Sequence, residues 1–196
     1  PDTALPGLRC TVKIVQIPGG EVLSASVVAP CNGDELTRRS LEAAVLQARY
    51  SDLAVIGQPV HKGPDAAFSA GLANAVVMDS GRPVLMIPYI GAAKTLGERI
   101  LIAWKDSRES ARAVADALPL LKDAKAVLAI AVSPRGDESV QEYVSDKAVE
   151  GFLRRHDVDA TVNRMVAPDI ASGEFLLSRA ADFGADMIVM GGYSRP

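Results

Sequence analysis

The residues of this chain that are suited to ligand binding lie in two short polar turns. Each turn directly follows an apolar run. Lys105-Asp106-Ser107 follows the run at 99–104, and Gly191-Gly192 follows the run at 186–190. Paired glycines let backbone N–H groups approach an anionic oxygen, and a carboxylate beside a lysine could contact a sugar and a phosphate. One hypothesis for these residues is the binding of a small anionic ligand.

The same residues also have structural interpretations, and the sequence leaves both open. Two glycines after a strand form a tight exit as readily as a phosphate turn. Asp106, with Glu109 three residues later, has the pattern of a helix cap, whereas a lysine such as Lys105 at a strand end is commonly only solvated. The sole tryptophan, Trp104, fits a core or interface position better than a ligand platform.

Sharper catalytic and metal-binding motifs are absent from the sequence. It contains no Gly-x-x-x-x-Gly-Lys-Ser/Thr, Gly-x-Gly-x-x-Gly, Gly-x-Ser-x-Gly or His-Glu-x-x-His pattern. Its two cysteines and two histidines, Cys10, Cys31, His61 and His156, show no metal-ligand spacing. We therefore expect no structural metal and no dedicated catalytic residue.

The composition is that of an ordinary globular protein. The formal net charge of −3 and the pI near 5.4 provide none of the basic surface that nucleic-acid binding needs. No run reaches the roughly 18 to 20 apolar residues that span a bilayer, and the amino terminus does not resemble a signal peptide. We expect a reduced, cytoplasmic protein that binds neither nucleic acid nor membrane.

A near-repeat indicates two related domains. Residues 50–57 (YSDLAVIG) reappear as residues 184–191 (GADMIVMG), with the Asp and the Gly of each copy offset by the same 134 positions. A repeat of that length has the size of a domain rather than of a solenoid unit. Each copy enters an apolar run through an Asp and leaves it through a Gly, as a buried parallel strand does when it ends at a ligand site.

The second copy is predicted to contain four strands that alternate with three helices. The strands are placed at 99–104, 126–132, 160–166 and 186–190. The apolar stripes of the helices are Val114, Leu118 and Leu121, then Val140, Val144, Ala148 and Phe152, and last Phe175, Leu176, Ala180 and Phe183, with Ser172 as the cap of the third helix. This alternation predicts a parallel sheet with right-handed crossovers.

The first copy is predicted to be shorter at its start. Its elements are strands at 26–30, 52–56 and 83–89 and helices at 36–48 and 67–78, with 11–17 as a further candidate strand. No counterpart of the strand and helix at 99–121 is found, and the second copy stops before its expected last helix and strand. We therefore predict a first domain at 1–89, a linker at 90–98 and a second domain at 99–196, with both domains incomplete in this chain.

Residues 100–111 (ILIAWKDSRESA), followed later by residues 184–193 (GADMIVMGGY), resemble the universal stress protein family. The first pattern is similar to that family's opening strand and serine-containing turn, and the second to its fourth strand. The resemblance covers 99–196 well and 27–89 more weakly, so the chain resembles a tandem member. It implies an α/β fold of two Rossmann-like domains, similar to the adenine nucleotide alpha hydrolases, each with a parallel five-stranded sheet.

The resemblance also implies a possible site for ATP or another adenine nucleotide in the second domain. The residues it would use are Ala103, Lys105, Asp106, Ser107, Val132, Met190, Gly191, Gly192 and Ser194. Gly191 fits the first glycine of the family's phosphate motif, whereas Ser194 replaces the second glycine. Lys105 stands where the family usually has an acidic residue, and Val132 fits a backbone contact to adenine.

In the first domain the resemblance assigns no complete nucleotide site, because Gly57 fits the motif but Val60 replaces its second glycine. The leading hypothesis is therefore a stress-response binding protein whose second domain takes the nucleotide. The alternatives are a structural or interaction module without nucleotide and a slow nucleotide hydrolase, for which the sequence identifies no base. The two domains could form the family's dimer within one chain, or two chains could form a homodimer.

Overall fold

The structure, a computed structural model, describes residues 34–59, 66–88, 95–133, 140–166 and 172–192. The chain divides into two compact units, Pro1–Ala92 and Ala93–Pro196. The strand predicted at 26–30 and the candidate strand at 11–17 lie outside the described residues. Within the described ranges, no helix is both long and apolar enough to cross a membrane.

The described part of the first unit contains two helices and a pair of parallel strands. The elements are α1 (Asp34–Arg49), β1 (Ala54–Gly57), α2 (Ala66–Asp79) and β2 (Val84–Ile87). β1 and β2 run parallel, with Ala54 opposite Val84 and Gly57 opposite Ile87. Small side chains dominate the buried cluster among its described residues, which contains Ala44, Ala48, Ala54, Ile56, Ala73 and Val76. The predicted helices and strands within the described residues of this unit are confirmed.

The second unit contains four strands that alternate with three helices, as predicted. The elements are β3 (Arg99–Trp104), α3 (Arg108–Asp123), β4 (Ala126–Ser133), α4 (Val140–Arg155), β5 (Ala160–Val166), α5 (Ser172–Phe183) and β6 (Met187–Met190). All four strands are parallel, in the order β5-β4-β3-β6. The α/β fold with parallel sheets is confirmed, and the described sheets have two and four strands.

The sheet of the second unit is covered on both faces. Alternate residues of a strand point to opposite faces, so Ile100 and Ile102 pack with α3 and α4 while Leu101 packs with α5. All three side chains are fully buried. Burial of both faces explains why the strands are continuous apolar runs rather than alternating ones.

The buried face of α4 differs from the predicted one. The predicted stripe was Val140, Val144, Ala148 and Phe152, of which the first two have side chains outside the described residues. Phe152 is partly buried and packs against the core as predicted, but Ala148 is exposed, and the buried residues among the described side chains of α4 are Ser145, Val149 and Leu153. A strict spacing of four drifts around a helix of 3.6 residues per turn, and a polar residue such as Ser145 does not register as core in an apolar pattern.

Helix α5 ends in a left-handed turn that leads directly into β6. Gly184 has a φ of 67°, and its N–H donates to the carbonyl of Ala181 at 3.0 Å. The N–H of Ala185 donates to the carbonyl of Ala180 at 2.8 Å. This pair of bonds is the Schellman motif, in which glycine avoids the steric cost that a side chain has at positive φ. The turn places Asp186 at the start of β6.

Candidate functional site

The strand order of the second unit reverses between β3 and β6, and the carboxyl ends of these two strands, here termed the β3–β6 crevice, are the candidate ligand site. From β3 the chain moves across the sheet through β4 to β5, and it then returns to place β6 on the other side of β3. In open α/β sheets, ligands bind outside the carboxyl ends of the strands where the direction of winding reverses. Here that point lies between the turn at 105–107 and Gly191-Gly192.

The structure brings most of the predicted site residues to the carboxyl ends of the strands. Ala103 and Met190 are direct partners in the β3–β6 register. Val132 lies on β4, the neighbour of β3, where it pairs with Met165 of β5. The turn residues Lys105, Asp106 and Ser107 and the glycines Gly191 and Gly192 follow the two central strands. Ser194 lies outside the described residues.

Ser107, and not Asp106, is the N-cap of α3. The Ser107 backbone is extended, and its hydroxyl accepts a hydrogen bond from the N–H of Ser110 at 3.2 Å. Its carbonyl accepts the N–H of Ala111 at 3.0 Å. The predicted cap at Asp106 is wrong because Lys105 and Asp106 complete the turn after β3, so the helix begins one residue later. Asp106 is exposed.

Substitution distinguishes the two cap assignments. Ser107→Ala is expected to lower the free energy of unfolding of the second unit by about 1 kcal/mol, the usual contribution of a hydroxyl N-cap. Asp106→Ala is expected to change it by less than about 0.5 kcal/mol, as for an ordinary surface residue. Urea unfolding followed by the fluorescence of Trp104, the sole tryptophan, measures both. A larger loss for Asp106→Ala than for Ser107→Ala would contradict the assignment.

The charges at the start of α3 are mixed. The Arg108 guanidinium donates a hydrogen bond to the Glu109 carboxylate, and this contact lowers the pKa of Glu109 and raises that of Arg108. Glu109 lies in the first turn of the helix, where negative charge is favourable. Among the described residues, the turn after β3 and the first turn of α3 therefore carry two cations, Lys105 and Arg108, and two anions, Asp106 and Glu109.

Gly191 is required by the packing of β6 against α3. A Cβ atom added at this position would lie 2.8 Å from the backbone nitrogen of Ser110 and 2.9 Å from the carbonyl carbon of Glu109. The equivalent glycine of the first copy, Gly57, is different, because an added Cβ there meets nothing within 4 Å in the described part of the chain. The repeated glycine thus has a structural role at Gly191, whereas the neighbouring Gly192 is exposed.

Asp186 anchors the opposite, amino-terminal end of β6, a role that the sequence analysis missed. Its carboxylate accepts four hydrogen bonds, from the hydroxyl of Thr95 at 2.7 Å and from the backbone N–H groups of Gly97 at 3.1 Å, Glu98 at 3.1 Å and Arg99 at 3.0 Å. Partial burial raises its pKa, but the hydrogen bonds from Thr95 and the backbone outweigh burial and hold the pKa below its ordinary value. Residues 95–98, placed by sequence in the linker, therefore contact the second unit.

Trp104 belongs to the core of the second unit. It is the last residue of β3, it packs against the cluster formed with α3 and α4, and its indole N–H donates to the Ser145 hydroxyl at 3.1 Å. This contact explains why a polar residue is buried on α4, since each group satisfies the other. The interpretation of Trp104 as a core residue agrees with these contacts.

A separate cleft of about 520 Å³ lies at the amino-terminal edge of the same sheet. It is open to solvent and lined in part by Lys122, Lys125, Asp157 and Asp159. None of the predicted site residues lies there, and Lys125 already pairs with Glu98 at 2.8 Å. Within the ranges that the structure describes, no group of three or more His, Cys, Asp or Glu side chains could hold a metal.

Comparison with known proteins identifies the fold. No protein-family model matches this chain, and no curated protein matches it. Among solved structures it is similar to a universal stress protein from Archaeoglobus fulgidus, with a TM-score of 0.59 and 18% identity over 80% of this chain and 54% of that one. The fold is that of a universal stress protein. The chain spans about half the length of that structure.

Two further structures are more distant. A universal stress protein family member from Burkholderia pseudomallei has a TM-score of 0.44 and 20% identity, with 51% of this chain and 85% of that chain covered. A protein from Mycobacterium tuberculosis has a TM-score of 0.41 and 16% identity, with 52% and 75% covered. The universal stress protein fold is therefore assigned on the first of the three structures.

Proposed function

We propose that this chain is a universal stress protein of the tandem type, a cytoplasmic stress-response binding protein whose second unit takes an adenine nucleotide. The observation that supports this proposal is the reversal of strand order at the carboxyl ends of β3 and β6, in a chain with the universal stress protein fold. The protein would act through binding and conformational state, with no chemical step.

The residues of the crevice suggest how such a ligand would be held. Gly192 is exposed and has no side chain, so its backbone could approach a phosphate oxygen. Lys105 and Asp106 are exposed after β3; in the proposed complex Lys105 would contribute positive charge near the phosphates, and Asp106 would accept a hydrogen bond from a ribose hydroxyl. The backbone of Val132, on the neighbouring strand, would contact the adenine.

A second candidate, an interaction module without nucleotide, is favoured by two observations. The Glu109 carboxylate already provides negative charge at the start of α3, where a phosphate would otherwise benefit from the helix dipole. The packing against Ser110 also accounts for Gly191 without any ligand. We therefore expect weak nucleotide binding, and its absence would favour the second candidate.

Equilibrium dialysis of the full chain with ATP and with AMP tests the proposal. We expect wild type to retain both nucleotides, and Lys105→Glu to weaken ATP binding by about tenfold through loss of a charge-assisted contact. AMP binding should weaken less, since AMP places fewer phosphate charges near residue 105. Lys122→Glu, an exposed lysine near the other end of α3, is the matched control and should change neither. Folded wild type that retains no nucleotide would contradict the nucleotide proposal.

A further inference from the structure

The pairing of β6 with β3 is short and weakly specified by its own side chains. β6 contributes four residues, Met187 to Met190, and it lies at the edge of the described sheet. All four residues are apolar, so the two faces of the strand do not differ as they would in an alternating strand. A register shift that exchanges the two faces therefore has a small hydrophobic cost. Something other than the apolar pattern must align this strand.

The Asp186 carboxylate provides that alignment. Its two oxygens take donors from a single stretch of chain, residues 95–99, which leads into β3. The backbone N–H of Asp186 in turn donates to the carbonyl of Arg99 at 3.0 Å. Because the donors converge on one carboxylate at the start of β6, displacement of β6 by one residue would break this set of hydrogen bonds together.

The alignment of β6 at its amino end determines which residues are in contact at its carboxyl end. With Asp186 in place, Met190 pairs with Ala103 and Gly191 lies against Ser110. A shift of one residue in one direction would bring Met190 to the position of Gly191, where its Cβ has no room against the α3 backbone. A shift in the other direction would bring Gly192 there without a clash, but it would still move Met190 away from Ala103. The residues that meet at the carboxyl ends of the two strands therefore depend on the register that Asp186 holds.

We propose that Asp186 is the register lock of the β3–β6 pair and a positioning residue for the carboxyl-edge site at the opposite end of the strand. Its distance from that site is about 13 Å, from four residues at about 3.3 Å each. The positioning part rests on the proposed function, whereas the register part does not. The repeat supplies a control, since Asp52 is exposed and accepts no hydrogen bond from the described residues.

The register part is tested on the ligand-free full chain by nuclear magnetic resonance, with Asp186→Asn compared with Asp52→Asn. We expect Asp186→Asn to weaken the cross-strand contacts between Ala103 and Met190. Amide exchange in β6 should speed up by about tenfold or more, while exchange in β4 stays within about twofold. Asp52→Asn should change neither. Unchanged contacts and unchanged β6 exchange in a folded Asp186→Asn would overturn the lock.

A milder variant keeps the test decisive if Asp186→Asn does not fold. Thr95→Val removes one of the four donors and leaves the carboxylate and the three backbone bonds. We expect exchange in β6 to rise by about two- to fivefold in this variant, with β4 unchanged. Equal rates in β6 for Thr95→Val and wild type would contradict the lock.

The positioning part is tested by ATP affinity where both variants are folded. We expect Asp186→Asn to bind ATP about two- to thirtyfold more weakly than wild type, and Asp52→Asn to match wild type. A role in stability alone would not change affinity under these conditions, so equal affinities would overturn the positioning role. If wild type binds no ATP, the proposed function fails, and the exchange measurement still decides whether Asp186 holds the register.

Discussion

Gly191→Ala is expected to lower the free energy of unfolding of the second unit by about 1–3 kcal/mol, the range for forcing extra volume into a packed site. The added methyl group would lie 2.8 Å from the Ser110 nitrogen and 2.9 Å from the Glu109 carbonyl carbon. Both atoms belong to the backbone of the first turn of α3, which cannot move aside like the end of a long side chain. Either β6 or the start of α3 must therefore shift.

Two glycines serve as controls for this substitution. Gly173, in the first turn of α5, has nothing within 4 Å of an added Cβ among the described residues, and the same is true of Gly57. Alanine at either position should change stability by less than about 1 kcal/mol. Urea unfolding by Trp104 fluorescence follows the second unit, and circular dichroism follows Gly57→Ala. A loss for Gly191→Ala no larger than for Gly173→Ala would show that the close approach does not exist.

Asp186→Ala is expected to lower the free energy of unfolding of the second unit by about 2–3 kcal/mol at neutral pH. The carboxylate is ionised there, and hydrogen bonds to a charged group contribute more than neutral ones, about 1.5–3 kcal/mol. Four donors lose their acceptor in the variant, but several of them are near the surface, so water replaces part of what is lost. The expected loss is therefore well below the sum of four separate bonds.

The effect of Asp186→Ala should also depend on pH. The pKa of Asp186 is lowered in the folded chain, so as the pH falls the unfolded chain binds this proton first. The stabilisation is fully present above the ordinary Asp pKa of about 3.9 and is lost as the pH falls through the lower folded value. The difference in free energy of unfolding between wild type and Asp186→Ala should thus be largest at pH 7 and become smaller towards about pH 3.

Asp52→Ala is the matched control for Asp186→Ala. Its carboxylate occupies the same place in the repeat but is exposed, so its removal should cost less than about 0.5 kcal/mol at any pH. Unfolding curves of the three proteins at several pH values decide the comparison. If the difference in free energy of unfolding between wild type and Asp186→Ala does not change with pH, the ionised carboxylate is not the stabilising group.

The layered fold could be predicted from the sequence because its signals are local. The strand at 99–104 is an apolar run ended by a polar turn, and the Val114 and Leu121 spacing marks a helix with one buried face. Repetition of this pattern leaves a parallel α/β sheet as the natural arrangement. Where the prediction of α4 failed, the buried residue was Ser145, whose partner Trp104 lies on a different strand. Local apolar patterns do not contain that information.

The sequence placed the candidate site residues at neighbouring strand ends, as the structure does, but the structural roles of Asp186 and Gly191 could not be predicted from it. The repeat marks Asp186 and Gly191 as paired with Asp52 and Gly57, and this similarity favours shared roles. In the folded chain Asp186 and Gly191 have roles that Asp52 and Gly57 do not share. Gly191 packs against the α3 backbone, and Asp186 accepts hydrogen bonds from residues 95–99. Both of these partners are distant in sequence. One sequence pattern did indicate these roles. An apolar strand that begins after an Asp and ends before a Gly can be fixed at both ends by those two residues.

Hydrogen exchange of the full chain with and without ATP, resolved along the sequence, tests whether the β3–β6 crevice is a nucleotide site. A nucleotide in the proposed crevice should slow exchange at residues 105–109 and 190–192 and leave the amino-edge cleft around 122–127 and 157–159 unchanged. Slower exchange at the amino edge instead, or no change anywhere at saturating ATP, would contradict the assignment of the β3–β6 crevice as a nucleotide site.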